Sequence, residues 1–487
     1  MLKKKLIVFL ILTLSGSMVA QKIISKKMYE KYESYKIAQV DNKRFDHNFI
    51  MDQFQKLVKE KSIKVEQIGK SLQGRSINLF SVGNGDINIL AWSQMHGDES
   101  TATMAILDIL NFFTADDEFN DVRKLLLEKL TINFIPMLNP DGAEKFTRRN
   151  ALQIDLNRDA LRLQFPESQA LKNVRDRINP QFGFNLHDQD QRYTAGNSYK
   201  SAALSFLAPA YNFEKDINPV RERTMKLIVK MYKELSEFIP GHIARYNDDF
   251  EPRAFGDNMV KWGTSSVLIE SGGWKNNFEK QFIRKLNFIS LMTAFYSIAT
   301  ENYSEETIQA YQAIPENDKL LFDLLLRNLT IEHNGKNYSI DVGINHKEKS
   351  SRNPRIDYYK SEIADIGDLS TFYGYSEYDC SGLTIHEGIT EILDKAGIEE
   401  IKKLDFIEKY KQGIVAVKII NAKFENEFTE IPINIITRQK LNKGKIEIGE
   451  TADFIIKSGN NVKYAVINGY LVDIEVNSIS VRNALVD

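Results

Sequence analysis

Short apolar runs alternate with longer amphipathic segments between about residues 46 and 305. Four of the runs are predicted to be buried strands, at residues 87–93, 130–138, 182–188 and 265–271. In residues 101–114 and 221–239 the apolar side chains recur at helical spacing, which predicts amphipathic helices. Strands that alternate with helices indicate an α/β fold, with a mixed, largely parallel central sheet covered by helices on both faces.

The pattern changes after a polar stretch at residues 303–319, which Pro315 interrupts. Within residues 329–344, Asn334-Gly335 stands between two alternating runs, which is the signal of a β-hairpin. Residues 388–404 predict a helix, and residues 443–476 predict short strands divided by Gly and Asn turns. We therefore expect a first domain over residues 46–305 and a smaller, β-rich C-terminal domain over residues 306–487.

The N-terminus differs from the rest of the chain. Residues 1–20 have three lysines, an apolar core from Leu6 to Leu14, and then small and polar residues, which is the layout of a secretory signal peptide. A membrane anchor is the alternative, but the apolar run is short for a bilayer. The sequence predicts a secreted or periplasmic protein, with residues 21–45 as an N-terminal arm and no membrane span in the mature chain.

The composition argues against nucleic acid as a partner and against internal disulfide bonds. With 43% apolar and 27% charged residues the chain is an ordinary globular protein, and a net charge of −2 leaves no large basic face for nucleic acid. Because Cys380 is the only cysteine, the chain forms no internal disulfide despite the predicted export.

Two histidines stand at the ends of predicted strands. His96 and Glu99 lie three residues apart where a strand ends and a helix begins, so both side chains can reach one metal ion. Alternatively, Glu99 favours the positive end of the helix and His96 is incidental. His187 follows another apolar run, and sites gather at the carboxyl ends of strands in open α/β sheets, although a solvated loop histidine is equally compatible with this position.

Arginines and one more acid complete the candidate chemistry. Arg148, Arg149 and Arg158 cluster after an Asn-Pro-Asp-Gly turn, with Asn157 beside the last. Arginines in a pocket bind carboxylates through paired hydrogen bonds, whereas a basic solvated loop is the alternative. Glu270 ends an apolar strand and is either a general base or an ordinary strand-terminal acid.

The order of these elements resembles the zinc carboxypeptidases of the funnelin type. His-x-x-Glu, Asn-Pro-Asp-Gly, an arginine, Asp-x-Asn-Arg, a His and a strand-end Glu follow one another over residues 46–305. The resemblance implies the zinc carboxypeptidase fold and one Zn²⁺ ion. The implied ligands of that ion are His96, Glu99 and His187.

The resemblance also implies roles for other residues. Asp155 matches the acid that holds a zinc-bound histidine, and Asn157 with Arg158 match the pair that grips the substrate's terminal carboxylate. Glu270 matches the general base. Arg149 matches the arginine that steadies the scissile carbonyl, with Arg148 as its rival, and Tyr246 matches the mobile tyrosine that covers the substrate.

The expected function is that of a secreted zinc-dependent carboxypeptidase. It would hydrolyse the C-terminal peptide bond of peptides or proteins with zinc-activated water, and its partner would be a substrate with a free terminal carboxylate. A zinc amidase acting on cell-wall stem peptides or N-acyl amino acids is one alternative, and an inactive peptide-binding protein on the same fold is another. Asp188-Gln189 departs from the Ser-x-Tyr of digestive members. Asp257 facing the pocket would favour a basic terminal residue and Arg253 an acidic one, and the sequence leaves this choice open.

Overall fold

A computed structural model provides the coordinates. It describes residues 24–59, 63–351, 357–393, 397–419, 424–437, 445–476 and 479–487. The predicted signal peptide, residues 1–20, lies outside the described residues. Within the described part of the chain, no helix combines the length and apolar character that crossing a bilayer requires.

The chain divides into two compact units between Lys319 and Leu320. The sequence predicted this boundary at residues 305 and 306, so residues 306–319 belong to the first unit instead. Within the described residues, the helices of the first unit are α1 (described over residues 24–31), α2 His47–Val58, α3 Thr101–Thr114, α4 Asn120–Lys129, α5 Pro140–Lys145, α6 Pro166–Ile178, α7 Pro219–Leu235, α8 Phe255–Lys261, α9 Gln281–Thr300 and α10 Ile308–Gln312. Its strands are β1 Lys64–Lys70, β2 Ser76–Val82, β3 Ile87–Trp92, β4 Leu130–Ile135, β5 Phe182–Asp188, β6 Thr194–Ala195, β7 Leu204–Leu207, β8 Ile243–Arg245, β9 Ser265–Ser271 and β10 Asn317–Asp318.

Eight of these strands form one mixed sheet in the order β1-β2-β4-β3-β5-β9-β7-β8. Its centre, β4-β3-β5-β9, is parallel, and antiparallel pairs flank it. Alternate residues of β3 enter different cores, because successive side chains of a strand point to opposite faces. Ile89 and Ala91 join the core that contains α3, α7 and α9, whereas Leu90 and Trp92 join the core that contains α6 and α8. Helices therefore cover both faces, as the sequence predicted.

Residues 24–45, the described part of the predicted arm, pack into this first unit. Tyr32, Tyr35 and Val40 are buried in the larger core. The Tyr32 hydroxyl donates to Asp108 Oδ2 at 2.7 Å, and the Arg284 guanidinium binds the same buried carboxylate at 2.6 Å. Removing one partner of such a deeply buried ion pair is strongly destabilising. Because Tyr32 donates a hydrogen bond to this pair, polar as well as apolar contacts join residues 24–45 to the rest of the first unit.

The second unit is rich in β-strands. Its described strands are β11 Leu321–His333, β12 Lys336–Ser350, β13 Asp357–Gly367, β14 Tyr373–Asp379, β15 Thr384–Glu387, β16 Ile389–Leu393, β17 Ile414–Ile419, β18 Phe428–Thr429, β19 Asn434–Ile436, β20 Phe454–Ser458, β21 Asn461–Ile467, β22 Tyr470–Asp473 and β23 Ala484–Leu485. Two short helices, α11 Ile398–Ile401 and α12 Phe406–Lys411, accompany them. Asn334 and Gly335 join β11 to β12 with φ of 52° and 70°, as a two-residue hairpin turn requires.

One helix prediction in this unit is wrong. Residues 389–393 of the predicted helix 388–404 form β16, which pairs in parallel with β17, and the helical part is α11. The periodicity of a short apolar run does not by itself distinguish a strand from a helix. The neighbouring strand β17 supplies the backbone partners that decide the conformation.

Candidate active site

The register of the parallel strands brings the predicted residues to one edge of the sheet. β3, β5 and β9 are consecutive neighbours, and their carboxyl ends meet at the same edge. His187 on β5 is paired with Glu270 on β9. His96 lies in the loop that follows β3, next to β5. Three segments that are distant in sequence therefore converge at one place.

The loop that carries His96 is held by the Asn-Pro-Asp-Gly turn. Asn139 caps α5 by accepting a hydrogen bond from the N–H of Gly142, and its amide reaches the carbonyl of Met95 at 3.3 Å. A Cβ at Gly97 would lie 2.0 Å from the carbonyl carbon of Gly142. Only glycine permits this close approach of the two segments, and the approach fixes the direction in which His96 points.

His96, Glu99 and His187 form a buried cluster. Glu99 Oε1 lies 2.7 Å from His96 Nδ1, and its Oε2 lies 2.6 Å from His187 Nδ1. The two Nδ1 atoms are 3.1 Å apart. All three side chains are buried, and together they form the group that could hold a metal ion among the described residues.

The charges in the cluster shift the pKa values of its side chains. Burial disfavours the ionised form of Glu99, but the two neighbouring histidines outweigh burial and lower the pKa of Glu99. Burial also opposes protonation of His96, yet Glu99 and Asp155 raise its pKa to about 9. Burial lowers the pKa of His187. Because a metal binds the neutral imidazole, protons and a metal ion compete for His96.

Asp155 contacts the far side of His96. Its Oδ1 lies 3.0 Å from His96 Nε2, and its Oδ2 accepts two hydrogen bonds from the Arg148 guanidinium, at 2.9 and 3.1 Å. Such a partner fixes the orientation and tautomer of a metal-binding imidazole. Arg148 also reaches Glu99 Oε1 at 3.3 Å, so its guanidinium stands at the edge of the cluster.

Arg149, the predicted carbonyl arginine, lies outside the lining of the cleft. Its side chain is exposed, its Nη1 donates to the carbonyl of Gln153 at 2.9 Å, and it lines a different cavity. Arg148, the rival, lines the cleft that contains the cluster. Two adjacent residues in a turn project in different directions, and sequence alone did not identify which of them faces inward.

The cleft around the cluster has a volume of about 370 Å³. Asn157, Arg158 and Tyr246 line it, as does Glu270. Asn157 follows the Asp155 cap and accepts from the N–H of Phe255, which ties it to the start of α8. Tyr246 is half-buried, with its ring 6.4 Å from that of Tyr193. The structure thus brings the predicted site residues to this cleft, except Arg149 and Asp155, and Asp155 contacts the cluster through His96.

Asp257 rather than Arg253 lines the cleft. Asp257 is buried on α8, and its Oδ1 accepts from the N–H of Glu251 at 3.0 Å. Burial raises the pKa of Asp257 to about 7. Arg253 is turned away toward Glu251, which it binds at 2.7 and 2.8 Å.

Glu270 is buried at the end of β9. Burial and the neighbouring Glu99 carboxylate raise the pKa of Glu270 well above its usual range. A carboxyl group with a raised pKa accepts a proton readily near neutral pH, which suits a general base.

Two residues of the cleft were missed by sequence reasoning. Glu251 lines the cleft and pairs with both Arg158, at 3.3 Å, and Arg253. Tyr193 faces Tyr246. Both lie in loops without hydrophobic periodicity, so the only available signal was that Glu251 stands two residues before Arg253.

The donor set of the cluster fits zinc. Two imidazole nitrogens and one carboxylate provide three protein ligands and leave one place open, which is the arrangement of catalytic zinc sites. Tetrahedral bonds of about 2.0–2.2 Å put neighbouring ligand atoms roughly 3.4 Å apart. The observed separations of 2.6, 2.7 and 3.1 Å are shorter than that by less than about 1 Å, so small side-chain movements would admit the ion.

Comparison with known proteins points to one family. Residues 50–229 match the family model Peptidase_M14, described as zinc carboxypeptidase. Probable carboxypeptidase 2 of Arthroderma benhamiae is 28% identical over 142 residues, which are 27% of this chain and 26% of that protein. Carboxypeptidase SOL1 of Arabidopsis thaliana is 27% identical over 124 residues, which are 22% of this chain and 25% of that protein. The chain thus spans about a quarter of the length of these curated relatives.

Solved structures that partly match this chain include a metallo-carboxypeptidase from Burkholderia cenocepacia. It is 15% identical, with 53% of this chain and 70% of that chain covered and a TM-score of 0.43. Bovine thrombin-activatable fibrinolysis inhibitor, in complex with tick carboxypeptidase inhibitor, is 13% identical, with 54% and 98% covered and a TM-score of 0.44. The matched residues 50–229 include His96, Glu99 and His187. The chain therefore contains a domain of the zinc carboxypeptidase family.

Proposed function

We propose that the first unit is a zinc carboxypeptidase that removes the last residue of a peptide by hydrolysis. The observation that carries this proposal is the buried His96–Glu99–His187 cluster, which shares one cleft with Glu270 and Arg148. A zinc ion bound to the cluster would supply a Lewis acid that activates water and polarises the scissile carbonyl.

Glu270 is the general base in this proposal. It takes the proton of the attacking water and passes it to the amine that leaves. Its burial and its raised pKa support the role, because the carboxyl group then holds the proton between the two transfers. Its pairing with His187 across β5 and β9 keeps the base beside the metal ligands.

Arg148 stabilises the negative charge that develops on the carbonyl oxygen. Its two hydrogen bonds to Asp155 Oδ2 orient the guanidinium before the substrate binds. Asn157 and Arg158 bind the terminal carboxylate. Tyr246 covers the substrate from the opposite side of the cleft. Each of these assignments is supported by the residue's place in the lining.

The terminal side chain enters beside Asp257, and we infer a preference for lysine or arginine there. Acidic residues dominate the lining, and they include Glu251 and Asp249 as well as Asp257. A basic side chain would hold Asp257 in its ionised form, which offsets the cost of burying that carboxylate.

The test uses pairs of peptides that differ only at the terminus, as a free carboxylate or an amide. Purified protein with zinc is expected to shorten the free peptide by one residue and to leave the amide intact, as read by mass spectrometry. Removal of the metal with a chelator should stop the reaction and added zinc should restore it. Cleavage of both peptides at an internal bond, or full activity after chelation, would contradict the proposal.

Replacing Asp257 with asparagine should remove the preference for a basic terminal residue. Loss of a buried charge partner costs about 2 kcal/mol or more, so kcat/KM for a C-terminal lysine should fall roughly 30-fold relative to leucine. The wild-type preference should increase as the pH rises through about 7, because Asp257 ionises there. The variant should show no such pH dependence. Asp176→Asn is the matched control, since Asp176 is a carboxylate outside the lining of the cleft that pairs with Lys172 on α6. An unchanged preference in Asp257→Asn would reject this role.

A further inference from the structure

A second cavity of about 660 Å³ adjoins the cleft and is lined by arginines. The four are Arg149, Arg158, Arg162 and Arg253, and we call this cavity the arginine groove. Arg158 lines both the groove and the cleft, so the two are contiguous. Nothing in the proposed hydrolysis requires four guanidinium groups at this place.

The two carboxylates of the groove offset part of this positive charge, but their hydrogen bonds are made with other groups. Asp155 is held by Arg148 and His96. Asp159 accepts the backbone N–H groups of Gln164 and Phe165, at 3.2 and 3.1 Å. Carboxylates with these partners have little capacity left for a further guanidinium.

The arginines themselves have few counter-ions. Arg158 and Arg253 share the single carboxylate of Glu251. Arg149 donates to the carbonyl of Gln153, which carries no net charge. Within the described residues, the Arg162 side chain has no ion pair. The four arginines outnumber the three neighbouring carboxylates, which are Asp155, Asp159 and Glu251. The excess positive charge favours a bound anion.

We propose that the arginine groove is an anion-binding subsite that takes an oxyanion-bearing side chain of the peptide whose end lies in the cleft. The side chain is a carboxylate or a phosphorylated residue, because guanidinium groups bind both through paired hydrogen bonds. Ile154 and Phe165 also line the groove and provide apolar contacts for the carbon atoms of such a side chain. This assignment of the ligand to a peptide rests on the proposed function.

The two cavities therefore select opposite charges. Asp257 and its acidic neighbours favour a basic terminal residue in the cleft, and the groove favours an acidic group elsewhere in the same chain. A short peptide that carries both charges fits the shared boundary at Arg158.

The test measures binding rather than cleavage. The ligand is a tetraglutamate peptide that is blocked at both ends, so it has no free terminus for hydrolysis. Calorimetry measures its binding to the full-length protein, once with zinc and once after chelation. Arg149→Gln/Arg162→Gln should weaken binding at least about tenfold, and Arg177→Gln, at a surface pair with Glu66, should leave it unchanged. Circular dichroism verifies that each variant is folded.

The outcomes separate the possible ligands. Equal binding by the double variant and the wild type would overturn the subsite. Inorganic phosphate that binds as tightly as the peptide would overturn the assignment to peptide side chains, whereas weaker binding of phosphate supports it. Because binding is also measured after chelation, the binding result can be interpreted even if the proposed hydrolysis does not occur.

Discussion

Replacing Glu270 with glutamine is expected to lower kcat by roughly 10²–10⁴ while zinc stays bound, since a general base contributes about that factor. Glutamine has almost the same shape as glutamate but accepts no proton at neutral pH. Glu270 is paired with His187 across neighbouring strands but is not one of the three clustered donors. Elemental analysis should therefore find the wild-type zinc content in the variant, and steady-state kinetics should show the loss in kcat.

The control for this variant is Asp249→Asn, which removes another carboxylate from the lining of the same cleft. The Asp249 side chain is 78% exposed and binds Lys215 at 2.9 Å, so its loss should leave kcat nearly unchanged. If Glu270→Gln retains wild-type kcat, Glu270 is not the base. If it loses zinc, the variant reports on the metal site instead.

Replacing Arg148 with alanine is expected to lower kcat about 10²–10³-fold with a smaller change in KM, as for the loss of one donor that acts in the transition state. Arg148 also binds Asp155 and Glu99, so the variant removes two ion pairs from the cluster. Zinc content has to be measured alongside the kinetics to separate these effects, and Arg148→Lys should recover only part of the activity because lysine lacks the planar fork.

Arg149→Ala is a closely matched control, because it removes the same side chain from the next residue. On a short substrate without acidic residues we expect wild-type kinetics, since Arg149 is exposed and binds only the Gln153 carbonyl among the contacts observed. The opposite result, with Arg149→Ala impaired and Arg148→Ala active, would contradict the geometry of the turn.

Local pattern predicted most of the elements that build the site. β5 and β9 cover the predicted residues 182–188 and 265–271, and α3 covers 101–114, because continuous apolar runs and helical spacing are local signals. The segment 388–404 was misjudged because β17, a partner distant in sequence, decides the conformation of β16. The two units divide after Lys319 and not at the predicted residue 305, and a distant contact accompanies this difference, because β10 pairs with β6, 122 positions earlier in the chain.

The sequence by itself indicated the candidate residues His96, Glu99, His187, Asp155 and Glu270, each at a strand end or in a motif turn. Those positions are local properties, which hydrophobic spacing and turn residues encode. Only the tertiary structure decided between Arg148 and Arg149 and between Asp257 and Arg253. These choices depend on which way a loop side chain projects, and contacts with distant residues set that direction. The arginine groove is likewise a product of folding, because Arg253 reaches Arg149, Arg158 and Arg162 only when α8 packs against the sheet.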